Sequence, residues 1–92
     1  MDCKTIHFSG HAIAQMFKRN ISVEEIEFVI TNGKLIKEYP EDKPHVSQLL
    51  IGIFNSRILH VVVSGDKIGN CYVITAYQPD ISLWNSDFTS KK

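Results

Sequence analysis

Residues 47–64, SQLLIGIFNSRILHVVVS, decide the fold of this chain. Two apolar runs flank Asn55-Ser56, and a polar pair between such runs is typical of a tight hairpin turn. Side chains alternate between the two faces of a strand, so Leu59 and Val63 share one face and His60 lies on the other. The stretch therefore predicts two antiparallel strands, Ser47–Phe54 and Arg57–Ser64, with a histidine in the middle of the second.

Three further strands are predicted around this hairpin. Lys34–Tyr39 sets Leu35 against Lys34 and Ile36 against Lys37. It ends at a loop bounded by Pro40 and Pro44, because proline cannot donate a ladder hydrogen bond. Cys71–Tyr77 is the last strand, and Thr5–Phe8 is a short first strand with Ile6 and Phe8 on one face.

The first helix is predicted over Gly10–Arg19. Ser9 precedes it as an N-cap, and Asn20 can take the left-handed conformation that ends a helix. Its apolar stripe, which we expect to face the core, consists of Ala12, Ile13, Met16 and Phe17.

The second helix is predicted from Val23 to about Asn32. Ser22 and Glu25 form a capping box, and Gly33 ends the helix. The residues expected to face the core are Val23, Ile26, Val29 and Ile30.

The predicted fold class is α+β: a short N-terminal strand, two helices on one sheet face and then a four-strand antiparallel meander. The 92 residues suit one domain, 1–92. We expect the tail, residues 80–92, to pack on the body through Trp84 and Phe88, since aromatic side chains provide most contact area per residue.

Composition excludes several classes of protein. Ten basic residues balance ten acidic ones, which argues against a generally basic nucleic-acid-binding surface and allows only a local one. No apolar run approaches the roughly 20 residues that span a bilayer, so we expect no membrane partner. The N-terminal residues have no apolar core of a signal peptide.

The two cysteines, Cys3 and Cys71, are far apart in sequence and form no Cys-x-x-Cys pair. A secreted protein of this size more often carries several disulfides. We therefore expect both thiols to be reduced and buried, and the protein to be cytoplasmic.

His60 is the most informative candidate for chemistry, because an imidazole titrates near neutral pH and can act as a general acid or base. We expect its ring to look outward into a shallow concavity on the face away from the helices. If Ile74 packs inward, Thr75 and Tyr77 lie on the same face, where the Tyr77 ring could stack on a base. The alternatives are a hydrogen-bonded histidine and a surface aromatic on a half-solvated sheet.

Three other residues are candidates for a phosphate or proton-transfer site. Arg19 ends the first helix and Arg57 begins the His60 strand, and a guanidinium can hold a phosphate with two hydrogen bonds. Either can equally be a surface charge. His11 could transfer protons or simply bond the sheet edge or the tail. Its four-residue spacing from His7 resembles a metal pair, but Ser9-Gly10 interrupts the helix between them, so we expect no metal site.

Three stretches resemble one family, the domain-of-unknown-function 4258 family of small bacterial proteins. They are Phe8–Ala12 with Met16, Arg19 and Ile21-Ser22; Glu38–Pro44; and Leu59–Val63 leading to Ile74–Asp80, Trp84 and Asp87-Phe88. The resemblance runs along nearly the whole chain. The family is grouped with RelE/ParE-like toxins, whose element order resembles the order predicted above.

The resemblance implies the toxin half of a toxin–antitoxin pair, acting as a metal-independent mRNA endoribonuclease, on or off the ribosome, without a cofactor. The implied partner is an antitoxin of the MqsA/YgiT-type zinc-finger kind. In such cleavage the RNA 2′-hydroxyl attacks its own phosphate. His60 and His11 would be the acid–base groups, Tyr77 a stacking or relay group, and Arg19 and Arg57 the charge stabilisers.

The chain also departs from the family. Gln15 stands where an arginine is usual, Asn20 where glycine is usual and Ser90 where a basic residue is usual. A missing cation weakens phosphate binding, so the rival hypothesis is a non-catalytic RelE-like protein-binding module or a degenerate toxin. Small-molecule binding on the same sheet face has no positive signal in the sequence.

Overall fold

The computed structural model describes residues 2–92, and its element order is the predicted one. The elements are β1 (Thr5–Phe8), α1 (Gly10–Arg19), α2 (Val23–Asn32), β2 (Lys34–Tyr39), β3 (Ser47–Phe54), β4 (Arg57–Gly65) and β5 (Asn70–Tyr77). The α+β fold class is confirmed, and β4 and β5 are each one residue longer than predicted. Within residues 2–92, no helix has the length and apolar character needed to cross a membrane.

The five strands form one mixed sheet in the order β1-β5-β4-β3-β2. Strands β2 to β5 are the predicted antiparallel meander, and β1 pairs in parallel with β5 at the far edge. The β3–β4 turn has both Asn55 (φ 49°) and Ser56 (φ 66°) in the left-handed region. A two-residue turn of this kind matches the twist of the strands that it joins.

The helix boundaries follow from their caps. The Ser9 hydroxyl accepts from the amide of Ala12 at 3.1 Å, and Asn20 ends α1 with φ 55°. Ser22 and Glu25 form the predicted capping box at the start of α2. These local hydrogen bonds satisfy backbone donors that the helix itself leaves free.

The main core lies between the helices and one face of the sheet. Ile26, Val29 and Ile30 of α2 are buried as predicted, together with Ala12 and Met16 of α1. They pack with sheet residues that include Leu50, Leu59, Val61, Val63 and Val73.

Three residues predicted to face this core do not. Phe17 is 87 % exposed, Ile13 is 52 % exposed and Val23 is 46 % exposed. For Ile13 and Phe17 the reason is that α1 packs chiefly along β5 near the sheet edge, so only a narrow part of its apolar stripe meets the sheet. The predicted stripe of α1 was therefore too wide.

The prediction of two separate reduced thiols was also wrong. Cys3 and Cys71 form a disulfide with a Cα–Cα distance of 5.6 Å. The parallel pairing of β1 with β5, which sets Ile6 opposite Cys71, brings the start of the chain to the last strand. Sequence spacing alone could not show this long-range pairing, and the expectation of a cytoplasmic location loses the argument on which it rested.

The close approach of α2 to β3 gives a test of the packing. A Cβ atom on Gly52 would lie 2.8 Å from Cγ2 of Val29, whereas one on Gly10 would meet nothing within 4 Å. We expect Gly52→Ala to lower the free energy of unfolding by about 1–3 kcal/mol through overpacking. Gly10→Ala is the control and should leave it unchanged or raise it. Urea unfolding of both variants measures the difference, and equal stability would contradict this account of the interface.

Candidate functional site

His60 lies on the sheet face opposite the helices, as predicted, but its side chain is 0 % exposed. The cover comes from the C-terminal tail. The Trp84 indole meets the imidazole edge-to-face with a centroid distance of 4.5 Å, and Trp84 is itself buried. The expected open concavity around His60 is therefore filled by the tail in this structure.

Both nitrogens of His60 are hydrogen-bonded. Nε2 lies 2.8 Å from the carbonyl oxygen of Phe88, and Nδ1 lies 3.2 Å from the hydroxyl of Tyr77. A carbonyl can only accept, so Nε2 carries the proton and Nδ1 of the neutral ring accepts from the Tyr77 hydroxyl. Burial lowers the pKa of His60 below its ordinary value of 6.5, and the bond to Phe88 opposes this shift.

Tyr77 connects the buried ring to the surface. Its side chain is half-buried, and its ring packs edge-to-face on His60 at 5.2 Å. Burial raises the pKa of the Tyr77 phenol, Tyr39 adds to this effect and the Arg19 charge opposes it. Tyr77 is therefore a neutral phenol at neutral pH, and its hydroxyl donates to Nδ1 of His60.

Arg19 reaches the same end of β5 from the last turn of α1. Its Nη1 donates to the carbonyl of Ala76 at 2.8 Å and to the hydroxyl of Thr75 at 3.2 Å. The Thr75 hydroxyl in turn donates to Gln15 at 2.7 Å. The guanidinium is thus fixed beside Tyr77 by the carbonyl of Ala76, the preceding residue. Gln15 is uncharged and adds no positive charge here.

A β-bulge explains why Ile74 and Thr75 do not lie on the sheet faces that strict alternation of side chains along β5 predicts. The β4–β5 register shifts between Val62 and Val63, so Val62 pairs with Thr75 while Val63 pairs with Val73. Ile74 is consequently 43 % exposed instead of inward, and Thr75 bonds the residues of α1. The shift leaves Tyr77 directly opposite His60 on the neighbouring strand.

Arg57 is separated from this group. It forms an ion pair with Glu25 at 3.2 Å and donates to the carbonyls of Asn20 and Arg19. Its bonds to α2 place it on the helix side of the sheet, whereas His60 is on the tail side. Arg57 links the ends of the two helices to β4 and does not converge with the His60 ring.

His11 and His7 do not join the group either. His11 is exposed in the first turn of α1, and His7 lies 3.1 Å from the Asn70 side-chain oxygen and stacks on Tyr72 at 5.0 Å. Among the residues that the structure describes, no three His, Cys, Asp or Glu side chains are grouped as metal ligands. The structure thus brings together His60, Tyr77 and Arg19, and leaves His11 and Arg57 apart from them.

The sequence did not indicate which groups complete this cluster. Trp84 was expected to hold the tail, but nothing marked His60 as its contact. The bond from His60 goes to the main chain at Phe88, a residue with φ 59° that presents its carbonyl to the ring. A backbone acceptor in a left-handed turn leaves little trace in the residue types around it.

The buried neutral imidazole predicts a pH dependence of stability. Because the pKa of His60 is lower in the folded state than in the unfolded chain, unfolding takes up a proton as pH falls below about 6.5. The stabilisation that the neutral His60 ring provides is complete above that pH. It decreases as the pH falls through the pKa of the unfolded state towards the lower pKa of the folded state. We expect the melting temperature to decrease between pH 7.5 and 5.5. His60→Gln should be less stable at pH 7.5 but should lose less stability over this range, and parallel curves for the two proteins would contradict the assignment.

Comparison with known proteins gives a family. No curated protein and no solved structure matches the chain. The family model described as "Domain of unknown function (DUF4258)" matches residues 8–78, which include both helices, β2 to β4, all of β5 and the three clustered residues His60, Tyr77 and Arg19. This match extends over well more than half of the sequence, and the chain therefore belongs to the DUF4258 family.

Proposed function

We propose that this chain is a RelE-like, toxin-type protein that acts by binding a partner protein, the antitoxin of its pair, and that it is a binding module instead of an open nuclease. The observation that carries the proposal is the state of His60, which has no exposed surface and is hydrogen-bonded at both nitrogens. RNA cannot reach this ring while the tail is in place. The β-α-α-β order and DUF4258 membership support the kinship.

The distribution of positive charge supports the same proposal. Affinity for RNA depends on cations that neutralise phosphates. Arg57 is paired with Glu25, and Arg19 is engaged by the backbone of β5. With ten basic and ten acidic residues, the chain has no net positive charge to replace them.

The exposed stripe of α1 is the surface that we propose for the partner. Ile13 and Phe17 are one helical turn apart and more than half exposed. A groove of about 410 Å³ runs beside Phe17 between the end of α1 and the start of α2, with Ile21 and Arg57 in its wall. Large aromatic residues next to such a groove commonly carry much of the binding energy of an interface. An antitoxin segment that places an apolar side chain in the groove beside Phe17 would suit this surface.

The partner surface can be tested by co-expression with the products of the neighbouring open reading frames. We expect one small product, of the zinc-finger antitoxin kind, to form a stoichiometric complex in size-exclusion chromatography with light scattering. Phe17→Ser should weaken the complex about tenfold or more, as is usual for a central aromatic residue. Ile68→Ser is the control, because Ile68 is 74 % exposed but lies in the β4–β5 turn. The absence of any complex, or equal effects of both substitutions, would refute this proposal.

The second candidate is a metal-independent mRNA endoribonuclease, favoured by the His60–Tyr77 hydrogen bond. In this mechanism the RNA 2′-hydroxyl gives its proton to the Tyr77 oxygen while the Tyr77 proton passes to Nδ1 of His60. The 2′-oxygen forms a bond to the adjacent phosphorus, and the bond from phosphorus to the 5′-oxygen breaks. Arg19 lies beside Tyr77 to stabilise the charge on the phosphate, and water supplies the proton to the leaving oxygen. The lowered pKa of His60 makes it a weak base and disfavours this step.

The binding module and the nuclease differ in whether the wild-type protein cleaves RNA and in whether cleavage depends on the Tyr77 hydroxyl. If the protein is only a binding module, induced expression of the wild type does not arrest growth, and RNA incubated with it, with or without ribosomes, stays intact. If it is a nuclease, it cleaves RNA but not a strand with a 2′-deoxy nucleotide at the cut, and Tyr77→Phe lowers the rate by about 10²–10⁴-fold. Partner binding should be the same for Tyr77→Phe and the wild type. Cleavage that depends on both the 2′-hydroxyl and Tyr77 would overturn the binding-only proposal.

A further inference from the structure

A cavity of about 520 Å³ lies on the tail side of the sheet, away from His60. The sheet residues in its wall are Ser47, Ser64, Tyr72 and Ile74, and the connection between β2 and β3, residues 42–45, forms its rim. Ser64 follows His60 by four residues along β4, a distance of about 13 Å at the usual rise of a strand. The cavity is therefore separate from the His60 cluster.

Ser47 gives this cavity a polar group with an unmet hydrogen bond. Its side chain is 1 % exposed, and its hydroxyl is the one buried side-chain polar atom without a hydrogen-bond partner in residues 2–92. Ser64 lies directly opposite Ser47 on the neighbouring strand. Leaving a buried hydroxyl unpaired destabilises a protein, so a water molecule or a ligand atom that bonds Ser47 would stabilise the structure.

The two serines occupy the middle of a row that crosses the whole sheet. The register aligns Tyr39, Ser47, Ser64, Tyr72 and His7 on successive strands. The outer members are large rings, and the serines between them leave the space that becomes the cavity. Two hydroxyls on adjacent strands can each donate and accept, which suits a group with a donor and an acceptor side by side, such as a carboxamide.

The charges near the cavity lie only at its rim. The strand residues that flank Ser47 and Ser64 in this row are Tyr39 and Tyr72, which carry no formal charge at neutral pH. Burying a charge without a counter-charge is far costlier than burying a neutral amide. Lys43 and His45 are at the rim together with Asp42, and Asp66 lies near His45. Lys43 is not paired, since the one ion pair of residues 2–92 joins Arg57 to Glu25. The ligand should therefore have a neutral inner end and an acidic outer end.

The walls between floor and rim are apolar and partly rigid. Tyr72 stacks on His7 at a centroid distance of 5.0 Å and on His45 at 6.0 Å, which fixes the orientation of the phenol ring. Pro44 and Ile74 complete the walls. A flat, apolar body of one ring would contact these side chains without needing further hydrogen bonds.

From these observations we propose that the cavity is a binding site for a small planar acid that carries a carboxamide: the amide bonds Ser47 and Ser64, the ring packs against Tyr72, Pro44 and Ile74, and the carboxylate lies by Lys43. The proposal does not depend on the proposed partner or on RNA cleavage.

Three probes separate the contributions of the two ends: 4-carbamoylbenzoate, benzamide and benzoate. We expect isothermal titration calorimetry to give saturable binding of 4-carbamoylbenzoate at a dissociation constant below about 1 mM, and about tenfold weaker binding of each probe that lacks one end. In NMR spectra, the signals of Tyr72 and Ser64 should shift on addition of the probe, while those of Phe17 should not.

Two variants and a control test the assigned contacts. Ser47→Ala should weaken 4-carbamoylbenzoate about tenfold while leaving the melting temperature unchanged or higher, because it removes an unpaired hydroxyl. Lys43→Gln should reduce the affinity for 4-carbamoylbenzoate to about that for benzamide, and Ile13→Ser on α1 should have no effect. The absence of saturation by all three probes up to about 10 mM would mean that the cavity holds only solvent. Binding that Ser47→Ala does not alter would also overturn the proposal.

Discussion

The middle of the β3–β4 hairpin is buried on both faces, and the rest of the structure depends on this constraint. On one face Leu50, Leu59 and Val61 pack against the helices. On the other, Leu49 and His60 lie beneath the tail, which brings Trp84 onto the sheet. A sheet covered on both sides excludes water from its central strands, so every polar group placed there needs a partner within the protein.

His60 meets this requirement in a way that determines what the site can do. Its two hydrogen bonds tie β4 to Tyr77 on β5 and to the tail at Phe88. The same bonds that satisfy the ring also hold the tail over it, so the residue with the most suitable chemistry is also part of the packing. Tyr77 is the point at which this buried pair meets the surface, and any chemistry of the imidazole in this conformation passes through the phenol.

The sequence predicted the local structure well because the signals were local. Ser9, Asn20 and the Ser22–Glu25 box set the helix boundaries, and Asn55-Ser56 set the hairpin, each through hydrogen bonds or torsion angles within a few residues. What the sequence could not give depends on distant contacts. The parallel pairing of β1 with β5 creates the disulfide, and the bulge at Val62/Val63 moves Ile74 outward and Thr75 towards α1. Of the five residues expected at the site, three lie together, namely His60, Tyr77 and Arg19. The cover over His60 was not predicted, because the tail contacts β4 across more than 20 residues of sequence.

The tail covers only part of the sheet face, and this accounts for the division of that face into two regions. Trp84 packs over the half that carries His60, where the indole meets the imidazole edge-to-face and both side chains are buried. At the other end of the same strands the residues are Ser47 and Ser64, which are too small to fill it, and residues 42–45 enclose the gap without closing it. Larger apolar residues at both serine positions would have made a continuous second core. The sheet instead keeps two hydroxyls and an open space beside the rigid Tyr72 ring, an arrangement that lowers stability and is expected where a surface is shaped for a ligand and not for packing alone.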